Sequence, residues 1–164
     1  MIMKKIKVKP LNRDGFKMYG QIIELPSTTS DTDDGTLRWW GKVAGLPADG
    51  PVGVGIMQVQ RRNFLVTKME YHVKTAEMII PLQGSSILTV GYSAGNKSEP
   101  EEAGAFFLPP GQAVVLNKGV LHWLPFPLQE TAVFAVVFRA GTPADDMHFC
   151  ELERNSGYVF MLEL

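Results

Sequence analysis

The stretch Phe64-Leu65-Val66-Thr67-Lys68-Met69-Glu70-Tyr71-His72, followed by Glu77-Met78-Ile79-Ile80-Pro81 and closed by Gly84, decides how the chain is read. Its periodicity is two, that of a half-buried strand, and not the three-to-four spacing of an amphipathic helix. In a strand, residues two apart share a face, so Glu70 and His72 project side by side, with Lys68, Val66 and Phe64 further along that face. Ionisable groups beside Phe64 and Val66 imply a lined cavity, because Lys and Glu are seldom buried unless paired or holding a ligand.

The same period extends outward. It predicts strands at 52–60, 64–72, 77–81, 86–92, 105–108, 113–116 and 131–139. Turn signals at Gly84-Ser85, Gly95-Asn96, Pro109-Pro110-Gly111, Lys118-Gly119 and Gly141-Thr142-Pro143 separate them. No long helical segment intervenes to make parallel crossovers, which excludes a doubly wound fold and leaves an all-β sandwich or barrel. Upstream, Asn12 is placed to cap a short helix in which Phe16, Met18 and Tyr19 face a core and Gly20 ends the element. Residues 27–34 are polar and aperiodic and read as a mobile loop, after which Trp39 and Trp40 open buried structure. The expected organisation is one domain over 1–164: an N-terminal helix and strands at 1–50, a barrel core at 51–140 and a C-terminal segment at 141–164.

Composition narrows the function classes. With 45% hydrophobic and 20% charged residues among 164, the chain is ordinary globular material and long enough to bury a core. Sixteen Lys and Arg against 17 Asp and Glu give a net charge of -1, with no basic surplus for nucleic acid or an anionic membrane. No apolar run is long enough to span a bilayer. Cys150, the only cysteine, excludes an intrachain disulfide and a thiolate zinc cluster, and fits a cytoplasmic location. The opening residues mix Lys4, Lys5, Lys7 and Lys9 with single apolar side chains, so no secretory leader is expected.

The spacing Glu70-x-His72-x4-Glu77-x6-Gly84 resembles the first signature of the cupin superfamily, with Glu70 where the first His is usual. Gly111-x5-Asn117-x-Gly119-x2-His122 resembles the second, with Asn117 where Pro is usual and Phe126 where a later Asn is usual. The resemblance implies a cupin double-stranded β-helix, a jelly-roll-like barrel, preceded by the short helix. It also implies that Glu70, His72, Glu77 and His122 converge. Two imidazoles with one or two carboxylates suit a divalent transition metal and leave positions open for substrate.

Within cupins, the chain resembles the ureidoglycolate lyase family. The similarity runs through Pro10-Leu11-Asn12-Arg13-Asp14-Gly15-Phe16-Lys17-Met18-Tyr19-Gly20, Met69-Glu70-Tyr71-His72, Glu77-Met78-Ile79-Ile80-Pro81-Leu82-Gln83-Gly84, Gly119-Val120-Leu121-His122-Trp123 and the strand before Gly141. Tyr71 stands where that family usually has Arg, Glu77 where it has Gln, and Asn117 where it tends to have His. The resemblance implies a lyase, often homodimeric, that splits ureidoglycolate into glyoxylate and urea in allantoin degradation and purine catabolism, using nickel, zinc or manganese. His72 and His122, with Glu70 or Glu77, would hold the metal, and the carboxylate that does not ligate would take a proton. Lys68, Arg61 or Lys118 would hold the substrate carboxylate, with Asn117 near it and Trp123 shielding the site. The alternatives are a cupin isomerase or oxygenase acting on another small carboxylate or sugar, and a non-catalytic metabolite-binding cupin. Asp145-Asp146-Met147-His148 reads as a solvated loop.

Overall fold

The computed structural model describes residues 2–95 and 100–164; Asn96, half of one expected turn, lies outside them. In chain order the elements are β1 (Ile2–Pro10), α1 (Arg13–Phe16), β2 (Gly20–Ile23), β3 (Thr32–Asp33), β4 (Arg38–Trp39) and β5 (Val52–Gln60). Then follow β6 (Leu65–Val66), β7 (Lys68–Tyr71), β8 (Glu77–Gln83), β9 (Ser86–Tyr92), β10 (Glu102–Leu108) and β11 (Ala113–Leu116). The last are β12 (Leu121–Pro127), β13 (Thr131–Arg139), α2 (Thr142–Asp145), β14 (His148–Glu151), α3 (Leu152–Ser156) and β15 (Tyr158–Glu163).

Two sheets face each other, one of eight strands in the order β14-β7-β12-β9-β10-β1-β15-β6 and one of five in the order β2-β11-β8-β13-β5. The eight-stranded sheet begins next to β7 and ends at β6, its immediate predecessor in the chain, so it curls around. The strand pattern implied a sandwich or barrel, and this is the all-β, jelly-roll-like barrel that the resemblance to cupins implied. Pairing is antiparallel except where β1 runs parallel to both β10 and β15.

The interior between the sheets is filled by Leu88, Val90, Phe106 and Leu108 from one side and by Ile79, Val114, Leu116 and Phe134 from the other. A second apolar cluster lies on the other face of the eight-stranded sheet, where Ile87, Leu121 and Phe126 meet Phe160 and Leu162 of β15. β9 is buried on both faces, and Phe160 and Leu162 of β15 supply part of the cover on this one.

Asn12 caps α1 as expected, its side chain accepting from the Gly15 amide at 2.9 Å. The helix stops at Phe16, short of Gly20, and Gly20 instead opens β2. A Cβ there would stand 1.9 Å from the Val115 carbonyl oxygen, so only glycine lets the two strands close up. Phe16 and Tyr19 are buried, but Met18 is exposed. Residues 27–34 contain β3, which pairs with β4 in a small hairpin, and Trp39 is 57% exposed on it, not buried.

The deciding stretch is not one continuous strand. It breaks at Thr67, whose carbonyl accepts from the Leu152 amide, leaving β6 on β15 and β7 between β12 and β14. The break turns Val66 and Phe64 into the outer cluster beside Phe126, so they do not share the face of Glu70. β12 escaped the period-two reading because Pro125 and Pro127 interrupt it; its register on β9 shifts between Trp123 and Phe126.

Candidate metal centre

Each member of the polar cluster reaches the barrel interior for a local reason. On β12, His122 stands directly across from Glu70 of β7, and side chains opposite one another in a ladder share a face. His72 follows the last residue of β7. Its carbonyl accepts from the Gly119 amide at 2.7 Å, so the turn before β12 clamps the backbone that carries it. Gly119 holds a φ of 78°, a left-handed conformation natural to glycine. Glu77 is the first residue of β8, in the other sheet, and completes the cluster from across the barrel.

His72 and His122 are each 3% exposed and Glu77 is 7% exposed. Nδ1 of His72 lies 2.8 Å from the Asp146 carbonyl oxygen, and Nδ1 of His122 lies 3.0 Å from that of Val120. A carbonyl only accepts, so both rings carry a proton on Nδ1 and turn Nε2 inward. The ring centroids are 5.2 Å apart. Nε2 of His72 is 2.9 Å from Glu77 Oε2. Nε2 of His122 is 3.5 Å from the same oxygen and 3.8 Å from Glu70 Oε1, ion-pair distances at which it makes no hydrogen bond.

The charges follow from this packing. Burial alone would push the Glu77 carboxyl up, but the His122 and His72 imidazoles overcome it and hold it at about 2. Burial alone would push His122 down, yet the Glu77 and Glu70 carboxylates raise it to about 9. Glu70 is raised, chiefly by burial, with His122 opposing.

This donor set fits a divalent cation. Ligand atoms of Glu70, His72 and His122 all lie within 4.8 Å of one another, and the Nε2 of His122 is a buried atom without a hydrogen-bond partner. Two ligands about 2.1 Å from one tetrahedral ion stand roughly 3.4 Å apart, a spacing that the cluster brackets. Backbone carbonyls fixing both imidazole tautomers are the usual outer support of histidine ligands.

A cavity of about 230 Å³ opens over the cluster, lined also by Ile79, Trp123, Leu124, Val136 and Phe138. Of the residues expected to bind substrate, Trp123 is there and the others stand elsewhere. Arg61 donates to the Leu128 carbonyl at 3.0 Å, and Lys118 pairs with Asp49. Asn117 serves the turn before β12, its backbone N–H donating to the Tyr19 carbonyl. The ammonium of Lys68 lies over the rings of Trp123 and Phe149, 4.8 and 5.3 Å from their centroids.

Asp146 is the residue that the sequence reading missed. It is fully buried, not solvated, and its carboxylate accepts from the amides of Val73 and Lys74 while its carbonyl orients His72. His148, expected in the same loop, instead begins β14, stacked on Tyr71. Its one local partner is His148, whose Nε2 lies 3.2 Å from Oδ1, and the contacts that tie it to the centre lie more than seventy residues upstream.

Barrel and centre together define a cupin with a buried histidine–carboxylate site. A model of the ureidoglycolate lyase family matches residues 3–157, and the chain belongs to that family. It is 26% identical over 157 residues to the ureidoglycolate lyase of Pseudomonas savastanoi pv. phaseolicola, covering 91% of this chain and 92% of that one. It is 28% identical over 153 residues to ureidoglycolate lyase 2 of Rhizobium meliloti, covering 89% and 93%. An oxalate decarboxylase of Bacillus subtilis overlays with a TM-score of 0.44 and 18% identity, over 64% of this chain and 25% of that longer one.

Proposed function

We propose that the protein is a metal-dependent carbon–nitrogen lyase that converts ureidoglycolate to glyoxylate and urea. One observation carries the reading: two imidazoles with both Nδ1 atoms tied to carbonyls aim their Nε2 atoms, with Glu70, at one buried point. His72, His122 and Glu70 would hold the ion, and nickel, zinc and manganese all accept such nitrogen and oxygen donors. When bound, a divalent ion supplies Lewis acidity at the substrate's hydroxyl and carboxylate.

The chain's own part is proton transfer and exclusion of water. Glu77 Oε2 lies 2.9 Å from Nε2 of His72 and 3.5 Å from Nε2 of His122, within reach of the same point, and would take the substrate's hydroxyl proton as the carbonyl forms. The carbon–nitrogen bond breaks with its electron pair leaving on nitrogen, and Glu77 returns the proton to the departing urea. Trp123 and Leu124 wall this exchange from water. Glyoxylate release from ureidoglycolate, followed with metal content, tests the assignment. Glu77→Gln, which installs the residue the family usually carries there, should keep the metal and lose turnover if Glu77 is this chain's base, whereas Glu70→Gln should lose metal; turnover retained in Glu77→Gln would move the proton transfer off Glu77.

The same reading places the protein in the cytoplasm, in allantoin degradation, as one domain that pairs with a second copy. Support for the pairing comes from β5, a nine-residue edge strand with no charged side chain that leaves Val52, Val54 and Ile56 exposed. Such an edge invites a strand, and an antiparallel pair of identical strands satisfies a two-fold axis. Ile56→Lys should convert a dimer to monomer in light scattering.

A further inference from the structure

We propose that this cavity selects N-acyl-2-hydroxyglycines with a short apolar acyl group: the ureidoglycolate core with its terminal amino group replaced by an alkyl group. The proposal rests on the function proposed above and concerns what the cavity walls add to it.

Among the described residues that line the cavity, the ionisable side chains are the four of the metal centre, and Trp123 adds one indole N–H donor. The rest of the wall is apolar, built from Met57, Ile79, Leu124, Val136, Phe138 and Met147. Arg61, Lys118 and Lys68, the cations nominated for anchoring a carboxylate, are engaged by the Leu128 carbonyl, Asp49 and two aromatic rings. Without a metal the centre opposes two carboxylates to its imidazoles and has no spare cation for an anion. A hydroxy acid must therefore enter with its hydroxyl and carboxylate at the metal end, which sends its other end to the wall.

At that wall a terminal urea amino group would give up hydration and find no side-chain oxygen to accept from it. An alkyl group there gains roughly fourfold in affinity for each methylene buried. Met57 and Met147 are side chains that adjust to irregular apolar shapes. The cavity's volume of about 230 Å³ limits the tail to a few carbons.

The reaction balances as for ureidoglycolate. The hydroxyl proton moves by way of Glu77 to the amide nitrogen, the carbon–nitrogen bond breaks with its electron pair on nitrogen, and glyoxylate and a primary amide leave.

The test compares ureidoglycolate with N-acetyl-, N-isobutyryl- and N-isovaleryl-2-hydroxyglycine on the metal-loaded protein. Binding of the unreactive N-acylglycines is measured in parallel by calorimetry. kcat/KM and affinity should both climb from acetyl to isovaleryl, by about tenfold or more in total, with isovaleryl exceeding ureidoglycolate. Val136→Thr, which puts a hydroxyl into the wall at constant size, should flatten the series; Leu124→Gln at the rim does the same if Val136→Thr fails to fold. Turnover of ureidoglycolate with a flat or falling acyl series overturns this proposal and leaves the proposed function standing. A climbing series with no turnover of ureidoglycolate supports it and removes ureidoglycolate as the substrate. Absence of turnover and of binding throughout overturns both.

Discussion

Along β9 the barrel interior changes character within two residues. Beside Leu88 stands Phe106 of β10, closed over by Phe16, edge-on at 5.2 Å, and by Tyr19 at 5.9 Å. Beside Val90 stands His122 of β12, facing Glu70 and Glu77. One scaffold thus carries an apolar level that releases free energy on burial and a polar level that costs it. The polar level persists because its charges neutralise one another and both Nδ1 atoms find carbonyls. Stability and chemistry are separated by a two-residue step along one face of one strand.

Substitutions at the two levels should therefore fail in different ways. Phe106→Ala, at the packed level, should cost about 3–5 kcal/mol in denaturant unfolding; a loss below about 1 kcal/mol would break the distinction. His122→Ala should lower metal affinity by more than the ~10–100-fold that loss of an outer partner costs, while still unfolding cooperatively. Metal retained at full affinity would show that the polar level is merely a buried ion-pair network. Asp146→Ala, which frees the His72 ring and the Val73–Lys74 backbone, should cost about 10–100-fold in metal affinity in a competition assay, with partial recovery in Asp146→Asn.

The smallest effect concerns the surface. Hydrogen bonds from Lys74 and Arg139 hold Asp145 below its usual 3.8, and amides of Leu37 and Thr36 do so for Asp34. A carboxyl whose folded value is depressed favours the fold above its unfolded value and loses that contribution as pH falls through the folded one. Asp145 should thus add only slightly to any decline of melting temperature as pH drops below about 4, a contribution read as the difference between the native chain and Asp145→Asn. These groups are fully exposed, so a large acid transition in the native chain that Asp145→Asn abolishes would contradict this account.

Much of the barrel was legible because its signals are local. The strands at 52–60, 86–92, 113–116 and 131–139 fall where the alternation placed them, and Asn12 caps its helix. Less legible were strands whose character depends on a neighbour. β1 alternates lysines with single apolar residues, and only its parallel seat between β10 and β15 makes it a strand. β12 carries two prolines that argue against a strand, yet it sits inside the larger sheet next to β7. In the site, the spacings nominated all four members of the polar cluster. Arg61, Lys118 and Lys68, expected to anchor a carboxylate, meet a carbonyl, Asp49 and two aromatic rings, because a cation near a motif in sequence carries no information about which group it will meet.

By itself, the sequence determined the period-two pattern, the glycines that let tight turns adopt left-handed conformations and the intervals separating the donor side chains. These are properties of short segments, governed by backbone sterics and side-chain alternation. Only the tertiary structure decided that His122 would face Glu70 across a ladder and that β8 would deliver Glu77 from the opposite sheet. It also brought the Asp146 carbonyl 74 residues back along the chain to fix the His72 ring. Such pairings come from the closure of one sheet upon another, where the burial of many distant apolar faces sets the register.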